Sequence, residues 1–373
     1  MTKVPNGFEI IQLFEQFSPK AYAVEGDKIG LQIGSLNKPI HNIMVALDVL
    51  EEVVDEAIRK NVDLIIAHHP PIFRPMKSIN IDTPAGRIVA KCIKHDIAVY
   101  AAHTNLDVAE GGVNDLLAEA LELQNTSVLA PTYEEKYKKL VVYVPKDSAQ
   151  AVRDAVCQAG AGFIGNYSHC TFTQEGTGTF LPSGNTNPYI GEVGKLEEVE
   201  ESRIETIFQS SIEKKVIKAM LVAHPYEEVA YDIFSLANQG ESLGLGRIGK
   251  LQEEMTLEEF AYHVKKSLGV EGVRVVGNLQ GKVKKVAVLG GDGNKYISQA
   301  KFKGADVFVT GDLYYHVAHD AMMMGLAIVD PGHHIEHIMK KGVTSYLAKV
   351  FEEKKYQVAI FPSEGSTDPF RFL

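Results

Sequence analysis

The chain has 373 residues, 45% apolar and 23% charged, with 38 basic against 48 acidic side chains for a formal charge of −10. That length allows two or three domains, each with a core of its own, and the composition excludes disordered, collagenous or low-complexity architecture. The acidic balance argues against a general nucleic-acid binder and against adhesion to anionic membranes, while leaving room for a locally cationic centre such as bound metal.

No apolar run approaches the roughly 20 residues needed to cross a bilayer. The opening MTKVPNGFEIIQLFEQF reads as a short amphipathic helix and carries no signal-peptide pattern. The three cysteines, Cys92, Cys157 and Cys170, are odd in number and lack CxxC spacing. They predict neither a disulfide framework nor a thiolate zinc site, and a cytoplasmic protein is the expectation.

Short apolar runs then alternate with helical patterns. IMVALD (43–48) is followed by a helix over 50–60. LIIA (64–67) is followed by a helix over 83–94, and AVYAA (98–102) by a helix over 113–121. Buried strands alternating with helices predict a mostly parallel α/β sheet. The pattern changes after about residue 128. PTYEEKYKK (131–139) is polar and reads as a linker. LVVYVP (140–145) is a strand, and 146–160 is a capped helix ending in glycine. A loop rich in Gly, Ser, Asn and Pro covers 182–191, and KLEEVEESRIETIF (195–208) alternates like an exposed antiparallel strand. A helix over 211–222 and a strand, EVAYDIF (228–234), complete the segment. Strand–helix–strand–strand–helix–strand is the ferredoxin-like order. After SLANQGESLGLGRIGK the first pattern resumes, with strands at VAVLGG (286–291), VFVT (307–310), AIVD (327–330) and VAIF (358–361). The prediction is a discontinuous α/β domain (1–130 and 237–373) interrupted by an inserted ferredoxin-like α+β domain (131–236).

The 13 histidines carry most of the chemical information. IIAHHPPIF (65–73) ends an apolar strand in His68-His69, and ligands of α/β sheets bind at the carboxyl ends of strands. Adjacent strand residues point to opposite faces, so the pair suits two ions, or one if the backbone turns there. AAHTNLD places His103 and Asp107 past another strand. VTGDLYYHVAHD puts Asp312 and His316 four apart, on one face if the segment is helical. In IVDPGHHIEH, His333 and Glu336 are three apart at a helix start. All four segments follow apolar strands and can converge on one sheet edge. Histidines and carboxylates without cysteine suit Zn, Mn, Fe or Ni better than Ca or Mg, and five ligands suit two bridged ions better than one tetrahedral ion. The predicted ligands are therefore His68, His69, Asp107, His333 and Glu336, with Asp107 and Glu336 as bridging candidates. Taken alone, His103, His316, His319 and His334 read as ordinary packing or surface histidines, and His334 and His337 as solvent-facing or supporting groups. VLGGDGN (288–294) reads equally as a phosphate cradle or as a tight turn. HPYEEVAYDIF offers a weaker second metal pattern, His224 with Glu227 and Glu228. A cation at the helix start before His333 opposes the helix dipole, so the carboxylates and an anionic, phosphorylated substrate are expected to offset it.

With these motifs the chain resembles the dinuclear-metal-centre proteins called GTP cyclohydrolase one type two, relatives of the NGG-interacting factor NIF-three. The likeness rests on DKIGLQIG (27–34), IMVALD, IIAHHPPIF, AAHTNLD, GLGRIG (244–249), VTGDLYYH and DPGHHIE. It departs in having Gly26 before Asp27 where a tryptophan is frequent, and in placing its glutamate three residues after His333. The resemblance implies an α/β fold with two metal ions on the five ligands above, a CutA-like or P-II-like insert and a toroidal homohexamer built as a trimer of dimers. It places His103 beside the ligands, as a candidate acid or base. The activity implied is a two-metal hydrolase opening the guanine ring of GTP, with His103 or His316 moving protons; a phosphoesterase or another nucleotide hydrolase would use the same ligands. The alternative is a metal-binding sensor whose insert takes a small ligand or partner. DNA handling by a ring is disfavoured by the charge.

Overall fold

Continuous apolar runs, buried on both faces, decide how the central strands pack. In the computed structural model, which describes residues 3–373, the strands in chain order are β1 (Gly30–Ile33), β2 (Asn42–Ala46), β3 (Leu64–Ala67), β4 (Ala98–Ala101), β5 (Gln124–Pro145), β6 (Thr171–Phe180), β7 (Glu197–Gln209), β8 (Tyr231–Thr256), β9 (Arg274–Val276), β10 (Lys282–Asp292), β11 (Val307–Gly311), β12 (Ala327–Asp330) and β13 (Ala359–Pro362). The chain divides into two compact units, one made of residues 1–133 with 243–373, the other of Glu134–Ser242.

The first unit has two sheets. One runs β1-β4-β3-β2-β13, parallel except for the antiparallel edge strand β1. In the other, the far end of β8 pairs antiparallel with β10, β10-β11-β12 are parallel, and β9 closes the edge antiparallel. Both faces of β3 are buried. Leu64 and Ile66 join a core that also holds Val286, Val307 and Val309 of the second sheet, while Ile65 and Ala67 pack on the opposite face against Val53, Val89 and Cys92. This explains the unbroken apolar runs of the sequence. Helices Gly7–Phe17, Val113–Ala120, Leu257–Leu268 and Ile338–Lys354 fill the space between the sheets. Their entry is set by local chemistry: the Asn6 and Thr256 side chains each accept from the third helical amide, and Glu9 and Glu259 reach back to complete capping boxes. Among the described residues no helix is long and apolar enough to cross a membrane.

In the second unit, the strands and the helices Ala149–Gln158 and Glu213–Ala223 follow the β-α-β-β-α-β order, and the sheet runs β6-β7-β5-β8. This is the ferredoxin-like arrangement, with both helices packed on one buried face through Leu140, Val142, Val152, Val156, Phe208, Val216 and Met220.

One sequence reading changes, and one stretch left unassigned becomes strand. Residues 131–139 are strand, not linker: β5 runs unbroken through them. Their polarity is that of a largely solvent-exposed stretch of an interior strand, with Glu135 alone buried. SLANQGESLGLGRIGK is likewise strand, within β8. Its glycines permit close backbone approach, since a Cβ at Gly240 would lie 1.8 Å from the Glu135 carbonyl oxygen.

Candidate metal centre

The site forms where parallel strands end. His68 and His69 follow β3 directly, and their amides stay on the sheet, donating to the carbonyls of Ala46 and Leu47. The chain then leaves the strand, so the rings do not diverge; their centroids are 5.0 Å apart. His103 caps the helix Thr104–Val108, which carries the buried Asp107. From the other half of the chain, Gly332 (φ +86) turns β12 into a 3₁₀ turn, His333–His337. In a 3₁₀ turn residues three apart eclipse, which stacks His333 and Glu336 along one line.

Potential ligand atoms converge in three groups, each within 4.8 Å: His68, His69 and His103; His69, His333 and Glu336; and His68, Asp107 and Glu336. Glu336 is common to two of them. Its Oε2 lies 3.0 Å from His69 Nε2, 3.2 Å from His333 Nε2 and 3.6 Å from His68 Nε2. Asp107 Oδ1 is also 3.6 Å from His68 Nε2.

Each ring is oriented through its other nitrogen. His69 Nδ1 meets Asp48 at 2.7 Å, His103 Nδ1 meets Asp27 at 2.8 Å and His333 Nδ1 meets Asp312 at 2.7 Å. His68 Nδ1 meets the Ala102 carbonyl at 2.9 Å. Acceptors on all four Nδ1 atoms make these the donors of the neutral rings, so that a ring that gives up its second proton presents Nε2 as the lone pair a metal requires. Two atoms carry the strongest signal. His68 Nε2 and Asp107 Oδ1 are fully buried and have no hydrogen-bond partner, and leaving a buried polar group unsatisfied costs about 1–3 kcal/mol. A cation between them removes that cost, and the nitrogen and carboxylate donors suit a transition metal.

Electrostatics reflects the same crowding. Burial alone would lower the His69 imidazole, but Asp48 and Glu336 outweigh it and raise it to about 10. Glu336, against some loss from burial, raises His333 to about 9. Burial raises the Asp107 carboxyl to about 6 despite His68. Burial also works against ionisation of Glu336, yet the surrounding histidines hold it well below its usual range.

The five predicted ligands and His103 thus meet in one place. His316 does not join them: it is exposed on helix Tyr315–Met323, with its ring against Tyr315. The expected Asp312–His316 pair does not form either. The helix begins only at Tyr315, and Asp312, held at φ +53, turns to His333. His334 and His337 stack on each other at 4.9 Å, half-buried. The glycines of VLGGDGN do not offer a phosphate cradle. The Gly290 amide donates to Asn114, and a Cβ on Gly291 would lie 2.8 Å from Glu336 Oε1, so these glycines clear room for the acid. His224, the weaker metal candidate, uses both ring nitrogens on backbone, at Tyr143 and Tyr226. The sequence reading does not assign Asp27 or Asp48 an orienting role, and it pairs Asp312 with His316 and not with His333. Asp48 and Asp312 follow β2 and β11 just as His68 follows β3, so the strand-end criterion, applied to acids as well, would have found them.

A model of the Duf34/NIF3 (NGG1p interacting factor 3) family matches residues 5–369. A Bacillus subtilis protein named GTP cyclohydrolase 1 type 2 homolog is 67% identical over the full length of both chains. A Staphylococcus aureus protein of the same name is 37% identical over 98% of this chain and 99% of its own. Among solved structures, a Bacillus cereus protein related to NIF3 superposes with a TM-score of 0.94 at 65% identity, covering all of both chains. A Staphylococcus aureus protein superposes with a TM-score of 0.80 at 33% identity over 99% of each.

Proposed function

Since the chain belongs to the Duf34/NIF3 family, we propose that it is a metal-dependent hydrolase that holds two divalent ions and acts on a nucleotide or another phosphorylated, anionic substrate. The observation that carries this reading is the pair of buried, partnerless atoms, His68 Nε2 and Asp107 Oδ1, set among imidazoles whose other nitrogens are already fixed. His68, Asp107 and Glu336 would hold one ion, and His69, His333 and Glu336 the other, with Glu336 shared. Zinc fits these donors first; manganese, iron or nickel fit as well. When bound, such a pair supplies a water of near-neutral pKa and a Lewis acid for the bond under attack.

The chain's own groups do the rest. Asp48, Asp27 and Asp312 keep the imidazoles in one tautomer and one orientation. His103, anchored through Nδ1 to Asp27, keeps Nε2 for holding or moving a proton, the role of a general acid or base. The relatives' name points to GTP, and ring opening of its guanine is the narrowest form of the proposal. Assembly into a homohexamer belongs to it too and rests on the family likeness.

The experiment is metal analysis of the purified protein, followed by a steady-state screen of the metal-loaded form against nucleotides and phosphodiesters. Turnover that disappears with the metal in His69→Ala supports the reading. Turnover by a metal-free His69→Ala protein defeats it. Tight nucleotide binding without turnover favours a sensor over an enzyme.

A further inference from the structure

The inserted unit contains a cavity of about 400 Å³, within the range of small-molecule sites. Its walls are aromatic, with Tyr143, Phe180, Tyr189 and Tyr226 all lining it. Phe180 and Tyr189 meet Tyr226 at centroid distances of 5.9 Å and 6.3 Å. The Glu201 carboxylate also lines the cavity, on a residue only 8% exposed.

Glu201 sits there because β6 makes room for it. It pairs with Gly176 across the β6–β7 ladder, and a Cβ on the next outward glycine, Gly178, would lie 2.1 Å from its Oε2. The Tyr226 hydroxyl donates to its Oε1 at 3.1 Å. Burial and this same carboxylate push the phenol up, so it stays a donor. An ionised carboxylate offers about four acceptor positions, and one phenol fills only one of them.

No counter-charge is available nearby among the described residues. No lysine or arginine lines the cavity. Arg203 is engaged with Glu205, and Lys146 with Glu175 and Glu200. His224 touches Tyr226 but is lowered by burial, and both of its nitrogens are bound to backbone. Two further acids, Glu227 and Glu228, lie on the cavity wall. Burying a carboxylate without an opposite charge beside it is costly, and a leucine or glutamine would pack here without that cost.

We infer that this cavity binds a small organic cation bearing N–H donors, a primary ammonium or guanidinium group on a short aliphatic body. The charged head would pair with Glu201 and fill its open acceptor positions, and the aromatic faces attract cations through their quadrupoles. A quaternary ammonium has no N–H and would leave the carboxylate unfilled. A hard metal ion fits poorly, because it needs six or more oxygens, whereas Glu227 is already taken by the Asn187 amide.

The test uses the full-length protein titrated with n-butylammonium and n-butylguanidinium, with 1-butanol as the uncharged isostere. Tyrosine emission follows binding, since the chain has 15 tyrosines and no tryptophan. Both cations should saturate, and 1-butanol should bind at least tenfold more weakly. Glu201→Gln should weaken the cations at least tenfold. Tyr189→Ala, at a residue 62% exposed, should weaken them several-fold without unfolding the unit. Equal binding of 1-butanol, unchanged affinity in Glu201→Gln, displacement of the cations by Mg²⁺ or Zn²⁺, or no saturation because another copy fills the cavity would each overturn the inference. If Glu201→Gln does not fold, unchanged affinity in Tyr189→Ala decides against it.

Discussion

Replacing Asp48 by asparagine separates a metal centre from a buried ion-pair network. Asp48 holds His69 Nδ1 through one carboxylate oxygen and accepts from the Thr367 hydroxyl through the other. Asparagine keeps the shape and can still accept from Nδ1, so the ring should stay in place; only the charge is lost. Losing such an orienting carboxylate typically costs 10–100-fold in metal affinity, or about 1.4–2.7 kcal/mol at 1.36 kcal/mol per decade. Under the proposed two-ion arrangement that loss falls on one ion: His69 would hold the ion shared with His333 and Glu336, whereas His68, oriented by the Ala102 carbonyl, would hold the other with Asp107. A competition titration of Asp48→Asn with a chromophoric chelator should therefore show one weakened ion and one unchanged ion. The metal-free protein should keep a cooperative unfolding transition throughout. Equal weakening of both ions, or no change in either, would falsify the assignment of the two groups.

The remaining predictions concern the same centre. In the metal-free protein His69, at about 10, and His333, at about 9, both carry protons at pH 7.5. Metal needs them neutral, so loading should release at least two protons, more where the raised His68 imidazole is also charged; calorimetry in buffers of different ionisation heat reads this, and no buffer dependence refutes it. Because both imidazoles are raised from 6.5, their contribution to metal-free stability is complete below about pH 6.5 and lost as pH climbs through 9 and 10. Thermal melts across that range should show a falling Tm for the metal-free form and a flatter profile for the loaded one. Gly291→Ala combines φ +67 with a Cβ 2.8 Å from Glu336 Oε1. It should cost about 1–3 kcal/mol of stability and, with Glu336 as the proposed shared ligand, weaken both ions; intact affinity at both would show that Glu336 is not the common ligand. His316→Ala should leave metal content unchanged, and a loss measured by elemental analysis would return that histidine to the centre.

How much of this was legible follows from the range of each signal. The strands could be read because burial on both faces leaves continuous apolar runs, as in LIIA. His68 and His69 could be read because polar residues are conspicuous at the end of such a run. The insert's order was legible from its periodicity, but β5 was cut short at 131–139 because polarity was taken for a linker. A strand inside a sheet can carry polar, solvent-facing side chains while its backbone pairs with the neighbouring strands. The orienting aspartates depend on distance in space: Asp27 and His103 are 76 residues apart, and nothing local in DKIG announces that its acid will hold that ring. The same limit applies to the glycines. The glycines of VLGGDGN read equally as a phosphate cradle or a tight turn, and only the approach of Glu336 from 45 residues further on shows that the missing side chains make space for an acid.

The arrangement also says which acids can do which work. Asp48, Asp27 and Asp312 each lie against an Nδ1 and are engaged in orientation, so they are poor candidates for bridging. Glu336 faces three Nε2 atoms at once, and Asp107 faces one. Of the two bridging candidates read from the sequence, the geometry therefore favours Glu336 as the shared ligand and Asp107 as belonging to the His68 side. Glu336→Gln should then weaken both ions, and Asp107→Asn chiefly one. The two-site titration used for Asp48→Asn separates them, and equal loss at both ions in Asp107→Asn would reverse this assignment.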